Sequence, residues 1–181
     1  EAARVGIRLV PGAEISTRRS GRSVHLLAYL PDRSDPALRA ELARIREGRE
    51  GRLPAMVEAL QAAGLDVSVE EVLRRVGEGG TPGRPHVADV LVAKGYAQSR
   101  REAFDVWLGE GKAGYVTRYA PDPSTAIALV LAAGGVPVLA HPRGRVSRDV
   151  LDDEAIAGLA RDGLVGLEVD HRDHDARARE E

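Results

Sequence analysis

Glu14 follows VPG, His25 lies inside VHLLAY, His141 closes the apolar run of VLAHP, and EVDH (Glu168 to His171) closes another. All four put a metal-competent side chain at, or beside, the exit of an apolar, strand-like stretch. Divalent metals need ionised carboxylates and neutral imidazoles held on rigid elements, and strand ends converging at one rim supply that geometry. Taken singly, a histidine near a strand end is more often a hydrogen-bonded rim residue, and Glu14 alone reads as an exposed carboxylate. The joint pattern carries the metal reading. GRPHVA adds a different chemistry: Arg84 and His86 straddle Pro85 at a helix start, where a guanidinium fork, an imidazole and free backbone N–H groups can meet one phosphate. The bland alternative is a helix start with an exposed arginine. Arg46, Arg49 and Arg52 recur every third residue and read as a solvated helix face.

These residues need elements to hold them. Val5 to Val10 (VGIRLV) reads as a strand closed by Pro11-Gly12, and Ser23 to Leu30 as a mostly buried strand ended by Pro31-Asp32. From Pro36 to Gly111 the pattern is mainly helical, with a bend or break where Gly48, Gly51 and Pro54 interrupt it. Ser68 with Glu71, and Ser99 with Glu102, fit the capping box that opens a helix. Pro85 suits a first helical position, and Gly95 a helix end. Alternation returns over Tyr115 to Tyr119. Asp122-Pro123 opens a helix to Ala133, Val136 to Ala140 is a strand, Ser147 to Asp162 a helix and Leu164 to Val169 a strand. Helix, strand, helix, strand at this spacing predicts βαβ units and a parallel sheet.

Composition bounds the function. Net charge is -2 over 181 residues, with 3% aromatic residues, so no global field recruits nucleic acid and stable double-stranded DNA binding is not expected. Lys94 and Lys112 are the only lysines among 26 basic residues. Arginine suits phosphate, although such a bias often reflects genome composition. The lack of cysteine rules out disulfides and thiolate metal sites. No apolar run approaches the ~20 residues of a membrane span, and no signal peptide is visible. The expectation is a soluble, cytoplasmic protein.

PGAEIS, VHLLAYL with its histidine eleven residues after the glutamate, GRPHVADVL, GGVPVLAHP and GLEVDH, in that order, resemble the PHP (polymerase and histidinol phosphatase) superfamily. The likeness is greatest to the branch of metal-dependent phosphoesterases acting on 3′,5′-nucleoside bisphosphates and RNA 5′ ends. It implies an α/β fold: part of a distorted (β/α)7 barrel, with residues 1–34 and 121–181 as barrel and 35–120 as a helical insertion or cap. It implies up to three divalent ions, manganese first, with zinc or iron as options. Glu14, His25 and His141 map onto the ligands of one ion. Arg84, His86, Arg49 and Arg52 map near substrate, while His171 and His174 receive no role. The implied partner is a phosphorylated small molecule or short RNA; oligomeric state is left open.

The family's H-x-H, T-D-H and late Asp-x-His ligands have no counterpart here, and both ends of the chain look cut. The expectation is therefore the middle of a longer protein, inactive by itself. The implied chemistry is hydrolysis by a metal-activated water with no protein nucleophile, in keeping with the lack of cysteine and of any G-x-S-x-G motif. The rivals are a non-catalytic PHP-like nucleotide-binding or scaffold domain and an amidohydrolase-type C–N hydrolase. The latter is expected to carry a metal-bridging lysine at a strand end.

Overall fold

In the computed structural model, which describes residues 2–77, 80–144 and 147–180, the chain forms two compact units. One comprises residues up to Ile45 together with those from Ala120 onward; the other is Arg46–Tyr119.

The first unit is built on a four-stranded sheet of order β1-β2-β3-β4. β1 (Gly12–Arg19) and β2 (Arg22–Tyr29) form an antiparallel hairpin. Its two turn residues, Ser20 and Gly21, have φ of 47° and 79°, the pair of positive values that matches the twist of two-residue hairpins. β3 (Val136–Ala140) runs antiparallel to β2, and the short β4 (Gly166–Leu167) runs parallel to β3. The sheet is thus mixed, against the expected parallel one. Only the β3-to-β4 connection, through α7 (Asp153–Arg161), is a crossover, and only crossovers make parallel pairs. The signal missed was Ser20-Gly21, a turn dipeptide inside a run of arginines.

Alternation divides the sheet into two faces. Ile15, Val24, Leu26, Ala28 and Leu139 are buried against Ala126, Ile127 and Val130 of α6 (Pro123–Ala132) and against Leu159 of α7. Ser23, His25 and Leu27 alternate with that set and are half-buried on the other face. α1 (Pro36–Glu50) adds Leu38 and Ile45 to this core.

Three boundaries differ from expectation. Val5 to Val10 is not a strand: Ala2–Val5 is a short 3-10 turn, and Val5, Ile7 and Leu9 are exposed. The ladder starts only at Gly12, where β2 supplies a partner at Tyr29; apolar content alone does not say which residues find one. The helix expected from Ser147 splits into a 3-10 turn at Arg148–Val150 and α7, because Asp152 takes the cap position and its Oδ1 accepts the Ala155 N–H at 2.8 Å. The strand expected over Leu164 to Val169 shrinks to Gly166–Leu167. A short α8 (Ala176–Glu180) follows.

The second unit is helical. α2 (Arg52–Ala62), α3 (Val69–Leu73), α4 (Arg84–Ala93) and α5 (Arg100–Ala103), the last continued by a π-turn over Phe104–Leu108, enclose Met56, Leu60, Val72, Val87, Leu91 and Leu108. The break expected near Gly51 separates α1 from α2. Ser68 forms the full capping box with Glu71: its Oγ accepts the Glu71 N–H at 3.2 Å, and Glu71 Oε2 accepts the Ser68 N–H at 2.9 Å. At Ser99 the box is displaced by a residue. Ser99 Oγ accepts the Glu102 N–H, but Glu102 turns back to the N–H of Gln98.

Candidate metal centre

β1, β2 and the end of β3 bring Glu14, His25 and His141 together. Glu14 stands two residues before Ser16, the Cα partner of His25, so alternation puts both side chains on the face away from α6. His25 is in turn the Cα partner of Ala140, and His141 follows where β3 stops. The three donor atoms make a small triangle. Glu14 Oε1 lies 2.7 Å from His25 Nδ1 and 3.5 Å from His141 Nε2, and the two nitrogens are 3.2 Å apart. The circle through these atoms has a radius of about 1.8 Å, shorter than a metal–donor bond of ~2.0–2.2 Å. One ion just above their plane therefore reaches all three at bonding distance. A carboxylate and two imidazoles, with side chains 51%, 29% and 20% exposed, are a donor set for a divalent ion open to solvent on one side.

Neighbouring groups orient the donors. Ser23 Oγ is 3.2 Å from His25 Nε2; with Nε2–H donating to it, Nδ1 keeps its lone pair for the site. His141 has φ of 29°, on the left-handed side that costs an L-residue about 1–2 kcal/mol. Its N–H donates to Glu168 Oε2 at 2.9 Å, and its carbonyl accepts from Ser147 Oγ at 3.1 Å and from the Gly144 N–H at 2.9 Å. The His171 ring lies beside that of His141, centroids 4.8 Å apart. His174 is a core residue, 4% exposed, with Nδ1 donating to the Val169 carbonyl at 2.8 Å.

The other expected site residues lie in the helical unit or at the end of α1. Arg84 and His86 share the first turn of α4. The Arg84 guanidinium stands over the rings of Phe104 and Tyr115, 5.6 and 5.8 Å from their centroids. His86 Nδ1 accepts the Gly83 N–H at 3.2 Å, so its Nε2 carries the ring proton. Arg49 is in the last turn of α1, and Arg52 Nε donates to the Val116 carbonyl at 3.1 Å. Two residues received no role from sequence: Ser23, hidden in a polar turn run, and Glu168, noted only as part of a strand-end cluster.

No family model matches the chain. It is 34% identical over 179 residues to a 3′,5′-nucleoside bisphosphate phosphatase of Chromobacterium violaceum, an alignment covering 96% of this chain and 61% of that protein. It is 34% identical over 141 residues to a 5′-3′ exoribonuclease of Haemophilus influenzae, covering 78% of this chain and 51% of that one. A solved structure described as a metal-dependent phosphoesterase, from Bifidobacterium adolescentis, superposes with a TM-score of 0.78 at 36% identity, covering 99% of this chain and 63% of the other. The chain is PHP-like. A second solved structure, described as an amidohydrolase from Chromobacterium violaceum with sulfate bound and no metal, gives a TM-score of 0.76 at 32% identity, covering 99% and 63%.

The PHP-like chain spans between about half and two thirds of the length of these relatives. The triad and the metal-dependent neighbour together support divalent metals as cofactors. Among the described residues no helix is long and apolar enough to cross a membrane. Neither lysine fits a metal-bridging role. Lys94 caps the end of α4 and binds Glu71 and Asp66 at 2.7 and 2.9 Å, while Lys112 lies in a turn after the π-turn.

Proposed function

We propose that this PHP-like chain serves a metal-dependent phosphoesterase that hydrolyses phosphate esters of nucleotides, 3′,5′-bisphosphates or RNA 5′ ends. The observation that carries the reading is the donor triangle of Glu14, His25 and His141, whose edges suit one divalent ion, with manganese the first candidate. The activities named for the relatives supply the substrate class. In this reading residues 1–34 and 121–181 contribute to a (β/α)7 barrel, and 35–120 form its helical insertion.

Divalent ions at such a site supply charge neutralisation for phosphate oxygens and an acidified water. The chain's own residues do the holding. Glu14 brings the negative charge, and His25 and His141 bring neutral nitrogens whose direction is set by Ser23 and by the strained end of β3. Arg84 offers a fork for a phosphate, its guanidinium 5.6 and 5.8 Å from the Phe104 and Tyr115 ring centroids. His86, with Nδ1 occupied by Gly83, offers Nε2–H as a donor. Arg49 and Arg52 add positive charge, Arg52 with its Nε already committed to backbone. No side chain is assigned as nucleophile.

The second reading, C–N hydrolysis, has one observation in its favour, the description of the second solved structure. The same assay separates the two. The gene product containing this chain is supplied with manganese and a 3′,5′-bisphosphonucleotide, or with amide substrates, and phosphate and amine release are followed. Phosphate release that falls to background in Glu14→Gln is expected; amine release alone contradicts the proposal. Arg84→Ala should lower kcat/KM tenfold to hundredfold, since a charge-assisted contact is worth roughly 1.5–3 kcal/mol. Unchanged kinetics would return Arg84 to the role of an aromatic-stacked helix start.

A further inference from the structure

We infer that Glu168 is a positioning residue for the metal centre: its carboxylate, through the main chain of His141, holds the only ligand of the triad that lies beyond a strand. The inference rests on the metal reading above and adds to it a residue that touches no ion.

Glu14 and His25 sit within β1 and β2, so their Cα positions are set by the ladder. His141 has no such support. β3 ends at Ala140, and the backbone turns to a φ of 29°, which a non-glycine residue keeps only when its surroundings enforce it. Three contacts do the enforcing, the first being the Gly144 N–H, which donates to the His141 carbonyl at 2.9 Å. Ser147, 2% exposed, holds its Oγ–H 3.1 Å from both the His141 and the Pro142 carbonyls, a donor shared between them. Glu168 Oε2 accepts the His141 N–H at 2.9 Å, while the Glu168 N–H donates to the Leu139 carbonyl at 2.9 Å. Glu168 thus spans the last step of the parallel β3–β4 pair: its main chain is fixed to one residue of β3, and its side chain catches the residue two further on. A charge-assisted bond of this kind is roughly twice as strong as a neutral one. Without it the His141 N–H loses its partner, and Nε2 is free to leave the 3.2–3.5 Å separations that one ion requires.

The test is calorimetric titration of this chain with manganese and with zinc, comparing wild type, Glu168→Ala, Glu168→Gln and Ser147→Ala, with thermal melts in parallel. Glutamine keeps an oxygen able to accept the N–H; alanine does not. Outer partners of metal ligands typically govern 10–100-fold in affinity, so Glu168→Ala should bind about tenfold or more weakly. Glu168→Gln should stay within about threefold of wild type, the difference between a charged and a neutral acceptor. Ser147→Ala should weaken binding in the same direction. Equal binding by wild type and Glu168→Ala overturns the inference and leaves the metal reading standing. Equal weakening by the alanine and glutamine variants also overturns it, because charge rather than the hydrogen bond would then be at work. Absence of binding by the wild type overturns both. Should Glu168→Ala fail to fold, Glu168→Asp, with the carboxylate withdrawn by one methylene, carries the same comparison with Glu168→Gln.

Discussion

In the sheet unit, Glu14 and His25 stand on the two strands of a hairpin, while His141, 116 residues beyond His25, follows the end of β3. Each is useful only because β1, β2 and β3 pair in one register. In the helical unit, the polar contacts at three helix starts are local, while Arg52 of α2 reaches the distant Val116 carbonyl. Ser68 meets Glu71, Ser99 meets Glu102, and His86 meets Gly83, all three residues apart. The contrast teaches where each unit is vulnerable. A local cap loses about one hydrogen bond when it is removed. A strand-borne ligand moves whenever the sheet's packing moves, because a one-residue slip turns every side chain to the opposite face.

Leu139→Ala should break the sheet side of this contrast most severely. Leu139 is fully buried in β3 two residues before His141, and truncating such a leucine typically costs about 2–5 kcal/mol. Urea unfolding of the variant should show that loss, together with weakened metal binding. A loss below about 1 kcal/mol, with metal affinity intact, would mean that β3 does not set the position of His141.

Caps sharpen the helical side at a smaller scale. Ser68→Ala removes one half of a reciprocal box and should cost about 1 kcal/mol. Ser99→Ala should cost about the same, because in each variant the acidic partner keeps its bond to a backbone N–H, Glu71 to that of residue 68 and Glu102 to that of Gln98. Urea midpoints of the two variants check this, and a loss well above about 2 kcal/mol in either contradicts a role limited to one cap bond.

The smallest effect is a pH dependence confined to the helical unit. The Lys94 ammonium, first, and the Ser68 N–H hold the Glu71 carboxyl below its ordinary value of 4.5. A lowered folded value stabilises above the unfolded value and is lost as pH falls through the folded one. The difference in urea midpoint between wild type and Glu71→Gln should therefore be constant well above pH 4.5 and shrink on acidification below it. A difference that grows on acidification contradicts the sign.

What sequence made legible follows the same division. The caps at Ser68 and Ser99, the start of α6 at Asp122-Pro123 and the end of α4 before Gly95 were all readable, because each depends on residues within one turn. The triad was readable as a set of strand-end ligands sharpened by resemblance. Strand direction was not, because the Ser20-Gly21 hairpin turn is two residues inside a charged run. Nor was the true start of β1, since exposed Val5, Ile7 and Leu9 are as apolar as a strand, and only a partner decides. The role of Glu168 depends on a main-chain contact to His141 across a parallel pair, which no local pattern encodes.

The central claim is that one divalent ion is held by Glu14 Oε1, His25 Nδ1 and His141 Nε2. Anomalous diffraction at the manganese or zinc edge, from crystals grown with that metal, tests it directly. A peak at ~2.0–2.2 Å from all three atoms is expected. A peak bonded instead through His25 Nε2, or no peak at the triad while the protein binds metal elsewhere, would contradict it.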